Sequence, residues 1–144
     1  MNRWKGIILI TVLMLSAAGA YACEFVYTLT NVDGSTKSIR PGSYIELDIN
    51  NTYTLKVALV EDHRNCHLTP EDTDFLLEEE KWKTTKDYLP LQLLSEISWS
   101  SRDSRHHKVE VSFQAIIEGT SSLEVLRDCD KKEGYDEFLR FIVK

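Results

Sequence analysis

Apolar residues recur at every second position along most of the chain from residue 25 onward. Phe25, Tyr27 and Leu29 alternate with smaller or polar side chains, as do Ile45, Leu47 and Ile49, and Tyr53, Leu55, Val57 and Leu59. Ile97 and Trp99 follow, then Val109, Val111, Phe113, Ala115 and Ile117, then Leu123 and Val125, and a closing run from Phe138 to Val143. A period of two marks a strand with one buried and one solvated face. Turn residues separate the rows: Asn31-Val32-Asp33-Gly34, Pro41-Gly42, Asn50-Asn51 and Glu118-Gly119-Thr120. Asp-Gly is the strongest hairpin dipeptide among them. Residues 61–74 form a polar loop. Phe75 to Trp82 has the composition of a helix start, but its surroundings favour a strand, and Pro90 blocks a helix over 89–94. About eight short strands at roughly ten-residue spacing predict an all-β sandwich. Such a sandwich gathers its loops at two ends, and loops of this kind usually carry function.

The first 22 residues follow another pattern. Arg3 and Lys5 precede an apolar stretch of ten residues from Gly6 to Leu15, and Ala20-Tyr21-Ala22 places small residues where a signal peptidase needs them. The apolar stretch is shorter than the ~20 residues that span a bilayer. The expectation is a signal peptide over 1–22 and one domain over 23–144, exported to the periplasm or beyond the cell. Cys23 stands directly after the expected cut. Lipid attachment there would make the protein a lipoprotein anchored at the cell surface. Ordinary cleavage would leave a thiol at the new N-terminus. The small residues suit lipidation, but the usual Leu is absent and Tyr21 is an awkward neighbour, so both readings stand.

Charge narrows the partners. The chain has 17 basic and 23 acidic residues. Setting aside Arg3 and Lys5, the remainder carries 15 against 23, a net charge of −8. That excess argues against nucleic acid or an anionic membrane surface as the main partner, leaving a membrane link only through a lipid at Cys23. At 42% hydrophobic residues the chain is too apolar to be disordered.

The cysteines are Cys23, Cys66 and Cys129. An exported chain meets an oxidising compartment, where cysteines pair. Three cannot all pair within one chain. The economical pairing is Cys66–Cys129, with Cys23 lipidated or left over, because a chain terminus frays. That bridge closes a loop worth ~4 kcal/mol in the chain-entropy model.

The densest chemical cluster is Glu61-Asp62-His63-Arg64-Asn65-Cys66-His67. His63 and His67 could ligate zinc or copper if loops converge, although the spacing is not diagnostic. His106 and His107, as strand neighbours, point to opposite faces and do not share a metal. Both methionines, Met1 and Met14, lie in the leader, which removes thioether copper ligation from the domain. Solvated loop histidines account for the pattern without a metal, and no cofactor is expected. No G-x-S-x-G elbow, phosphate-binding glycine loop or H-E-x-x-H occurs, so no enzymatic activity is expected. Trp82 and Trp99 are expected in the core.

From Phe113 to Val143 the chain resembles the C-terminal part of chagasin-type cysteine-peptidase inhibitors. The resemblance runs through Phe113-Gln114-Ala115, Glu118-Gly119-Thr120-Ser121-Ser122-Leu123, a charged loop and the closing strand. It implies an immunoglobulin-like sandwich whose loops at one end reach a partner. Of the family's Arg-Pro-Trp loop only Arg127 has a counterpart, in Arg127-Asp128-Cys129. Its Asn-Pro-Thr-Thr-Gly and glycine-rich loops, which would fall near 62–66 and 101–107, are absent. The resemblance also implies that the loops holding Cys66 and Cys129 lie side by side, forming one stapled polar surface.

The resulting expectation is an exported, non-enzymatic binding or accessory module with a protein partner in the cell envelope. Its contact surface would comprise His63, Arg64, Asn65, Arg127, Asp128 and Asp130. The alternatives are a divergent peptidase inhibitor using the same end and a metal-handling accessory using His63 and His67.

Overall fold

The computed structural model describes residues 23–61, 67–83, 89–129 and 134–144. The expected signal peptide lies outside the described residues. The domain is a β-sandwich of two sheets, and its only helical turn among the described residues is the 3-10 turn Pro70–Asp72.

One sheet contains β1 (Cys23–Thr30), β2 (Thr36–Ile39), β4 (Thr52–Glu61), β7 (Leu91–Leu93), β8 (Trp99–Ser101) and β9 (His106–Ala115). Its order is β2-β1-β4-β9-β7, with β8 also paired to β9, and every pairing is antiparallel. The other sheet runs β3-β11-β10-β5-β6. Those strands are β3 (Tyr44–Leu47), β11 (Tyr135–Val143), β10 (Gly119–Arg127), β5 (Asp74–Leu77) and β6 (Glu80–Lys81). Here β3 and β11 run parallel and the remaining pairs antiparallel.

Burial follows the alternation read from the sequence. Along β4, Tyr53, Leu55, Val57 and Leu59 point inward, and along β9, Val109, Val111, Phe113 and Ala115 do so. Phe113 is the aromatic hub, with ring centroids 5.5 Å from Trp82 and 5.8 Å from both Tyr53 and Phe141. Each such side chain contributes about 1.5–3 kcal/mol on leaving water. Trp82 is buried and Trp99 packs on the core, as expected.

Three features refine the sequence reading. Asp33-Gly34 does close the β1–β2 hairpin, with Gly34 at φ +80°. Pro41-Gly42 carries the chain from one sheet to the other, with the Gly42 amide donating to the Phe138 carbonyl at 2.7 Å. The single strand expected over Phe75–Trp82 is instead the hairpin β5–β6, turning on Glu78 and Glu79. Both adopt positive φ, 50° and 67°, a conformation that costs a side-chain-bearing residue about 1–2 kcal/mol. Glu78 offsets this by extending the sheet where β5 stops. Its amide donates to the Ser122 carbonyl, and its Oε1 accepts from the Ser122 amide at 2.7 Å and from Ser121 Oγ at 3.0 Å.

Candidate functional site

β4, β8 and β10 finish at one end of the sandwich, and β1, β5, β9 and β11 begin there. Of the segments that leave the sheets there, 101–106 is described throughout, 61–74 at Glu61 and over 67–74, and 127–135 over 127–129 and 134–135.

The same alternation that builds the core reaches into this end. On β4 the inward row Tyr53, Leu55, Val57, Leu59 continues to Glu61. On β10 the row Leu123, Val125 continues to Arg127. On β9 the row Val111, Val109 continues to His107. Three ionisable side chains thus stand on buried positions: Glu61 is 6%, Arg127 1% and His107 8% exposed. Arg127 is consequently not a surface contact residue, which corrects the sequence expectation. It is the largest of the side chains buried below 2% exposure.

A buried guanidinium requires acceptors in its own plane, and the described residues supply at least four. Nη2 donates to Glu61 Oε1 at 2.9 Å and to the Leu68 carbonyl at 3.4 Å. Nη1 donates to the Thr69 carbonyl at 2.7 Å and to Thr73 Oγ1 at 3.2 Å. Glu61 belongs to one sheet and Arg127 to the other, so the pair ties the sheets together and holds the backbone of 68–73 against them. The segment braces itself further: the Thr69 amide donates to Asp72 Oδ2 at 2.6 Å across the 3-10 turn.

Glu61 also meets the 101–106 segment. Its amide donates to the Arg105 carbonyl, and Arg105 Nε donates back to the Glu61 carbonyl, both at 2.8 Å. Asp103 organises that segment. Its Oδ1 accepts from the amides of Arg105 and His106 and from His106 Nδ1 at 2.9, 3.0 and 2.8 Å. The His106 contact, followed by the Arg105 amide, holds the Asp103 carboxyl well below the usual carboxylate range. His107 lies deeper, with Nδ1 hydrogen-bonded to Ser101 Oγ at 2.7 Å. Its Nε2 is 3.8 Å from Glu61 Oε1 and has no hydrogen-bond partner among the described residues. His106 faces outward, so the two histidines take opposite faces as expected.

Two further polar links cross between the sheets nearby. The Tyr135 hydroxyl accepts from the Cys23 amide at 2.9 Å and also donates to the Cys23 carbonyl. Burial pushes this phenol's pKa up, the Cys23 backbone contact opposes it, and the thiols of Cys23 and Cys129 add to the rise. Tyr27 donates its hydroxyl to Glu137 Oε2 at 2.5 Å, and burial, then Glu137, raises its pKa strongly. Cys23 itself is 4% exposed, the first residue of a strand paired along its whole length.

The remaining expected residues divide clearly. Asp128 and His67 are exposed and Cys129 is half-buried. His63, Arg64, Asn65, Cys66 and Asp130 lie outside the described residues, and with them the Cys66–Cys129 bridge and the His63–His67 metal pair. Among the described residues there is no disulfide and no group of three metal-ligating side chains. Sequence reading also missed a shallow groove of about 620 Å³ on the outer face of the larger sheet, lined in part by Lys56, Ala58, Val60, Arg102, His106 and Lys108. No protein-family model matches the chain, and no curated protein has a similar sequence.

Proposed function

We propose that the chain is an exported, non-enzymatic binding module that meets a protein partner of the cell envelope with the end formed by 61–74, 101–106 and 127–135. One observation supports this above the others: the Arg127 guanidinium, buried between the sheets, spends its donors on Glu61 and on the carbonyls of 68 and 69. A buried ion pair gains little net stability over an apolar pair of the same shape, but it specifies a single geometry. Holding one loop end in one geometry is what a contact surface needs. In this reading Arg127 shapes the surface from within, while Asp128, His67 and the neighbouring loop residues make the contacts. A Cys66–Cys129 bridge would staple the same loops. The burial of Cys23 favours an unmodified thiol over a diacylglyceryl group, which would have to leave the core.

Site-specific photo-crosslinking in cells tests the reading. Crosslinkers at Asp128 and His67 should capture the same envelope protein, and one at Thr54, on the outer face of the larger sheet, should not. Capture from Thr54 alone would move the contact surface to that sheet.

Convergence of three loops at one end also favours the second reading, a divergent inhibitor of papain-like peptidases. The shaping Pro, Trp and glycine residues are missing, so we expect no inhibition. Stoichiometric inhibition of a papain-like enzyme would reverse the order of the two readings.

A further inference from the structure

The outer faces of the two sheets differ in character. The larger sheet presents mainly polar side chains outward, Thr28, Thr30, Thr54, Lys56, Lys108 and Ser112, with the aliphatic Val26, Ala58 and Val60 between them and no Phe, Tyr or Trp ring among the described residues. The smaller presents Tyr44, Leu76, Leu126, Phe138 and Ile142, of which Tyr44 is 61% and Phe138 38% exposed. Arg140 lies among them, its guanidinium carbon 5.7 Å from the centroid of the Tyr44 ring. So does Glu124, whose pKa is raised by desolvation and then by its acidic neighbours Asp136 and Glu79. Among the described residues neither Arg140 nor Glu124 forms an ion pair. Exposed aromatics beside an arginine are the composition of an interface core.

We propose that this face pairs with the same face of a second copy of the chain. The strand register supports a self-complementary match. Glu124 stands opposite Phe138, and Ser122 opposite Arg140. Leu76 extends the first row across β5, and Tyr44 extends the second across β3. Leu126 lies one row beyond Glu124, and Ile142 one row beyond Arg140. A two-fold axis in the interface, running along the diagonal from Phe138 to Ser122, exchanges Glu124 with Arg140. It lays Phe138 on Phe138 of the second copy. It also sets Tyr44 over Leu126 and Leu76 over Ile142. Every apolar side chain named meets another apolar one, and the acid that lacks a cation meets the arginine that lacks an acid, twice. An isologous interface requires this pattern, in which residue i meets j and j meets i.

Four strands ~4.8 Å apart and four rows ~6.8 Å apart cover about 500 Å² on each copy. The total falls at the low end for specific interfaces, which corresponds to a reversible dimer. Sedimentation of the protein as expressed and processed in cells, across the micromolar range, tests this. We expect concentration-dependent dimers. Arg140→Glu and Glu124→Arg should each weaken association about tenfold or more, because each sets like charges together. The double variant should restore it. Phe138→Asp should abolish association, and all three side chains lie on the outer face of the sheet, so far-ultraviolet circular dichroism should match the parent. A chain that is monomeric throughout, a dimer indifferent to these changes, or a double variant no better than the single ones would overturn the proposal.

Discussion

The two halves of the sandwich are held by different physics. Around Phe113 the sheets meet through Leu29, Leu55, Val111, Phe141 and Val143, all nearly or wholly inaccessible to water. At the opposite end they meet through Arg127 and Glu61, Tyr27 and Glu137, and Tyr135 and the Cys23 backbone. Apolar packing is non-directional and tolerates adjustment, whereas a buried ion pair works in one arrangement only. The apolar half ends in short turns such as 48–51, where the buried Tyr53 hydroxyl accepts from the Asp48 amide at 2.8 Å. The polar half ends in long loops whose carbonyls are tied to a side chain inside it. Core chemistry and loop length change together, so the interior is graded to suit what each end must hold.

Substitutions can break the contrast. The largest effect is expected from Arg127→Ala, which strands Glu61 and three backbone and hydroxyl acceptors. Loss of about 3–5 kcal/mol in urea unfolding is expected. A shape-matched apolar pair, Arg127→Met with Glu61→Leu, should recover most of that stability while loosening 67–73 in hydrogen exchange. If Arg127→Ala costs no more than a surface change, the pair is not the strut described. In the apolar half, Phe113→Ala should cost a similar amount through the cavity it leaves, with no polar rescue available.

Next in size is the expected Cys66–Cys129 bridge. Replacing either cysteine by serine should cost about 2–5 kcal/mol, and reduction of the parent should loosen the polar end before the sheets. Equal melting temperatures under oxidising and reducing conditions would remove the bridge.

A smaller effect comes from alkaline pH. The Tyr27 hydroxyl has a folded pKa raised above its unfolded value, chiefly by burial, so the folded state retains a proton that the unfolded state releases. Stability should therefore be unaffected below about pH 10 and fall as pH rises beyond it. Tyr27→Phe should flatten that alkaline limb, and an unchanged limb would exonerate Tyr27. The smallest change belongs to the turn end. Gly34→Ala, at φ +80° in open space, should cost about 1 kcal/mol and leave the loop end undisturbed.

Much of the fold was legible in the chain because strand burial has a period of two, and rows such as Val109 to Ala115 display it without interruption. The β5–β6 turn was not legible: Glu78-Glu79 carries no glycine or asparagine, and the contact that makes it tenable comes from Ser122, more than forty residues away. Nor can alternation tell which sheet a strand joins, so the parallel placement of β3 beside β11 was invisible. The site was misread for a related reason. The expectation of Arg127 at the surface rests on its being the counterpart of the first residue of an Arg-Pro-Trp loop in the family that the chain resembles, not on the burial pattern of its own strand. Extending the rows by one step would have placed Glu61, His107 and Arg127 all on the buried face, and three ionisable residues there signal a polar cluster.

The parallel pairing of β3 with β11 also determines when the domain can form. β3 is synthesised early and β11 last among these strands, yet Tyr44–Leu47 has no other sheet partner among the described residues. The smaller sheet, and with it half of the core, stays open until the final strand is available. Pairing over such separations is slow and leaves apolar rows exposed meanwhile. A ribosome-bound or truncated chain ending before Tyr135 would therefore be a chaperone client rather than a looser version of the domain. Folding would proceed as a single late event.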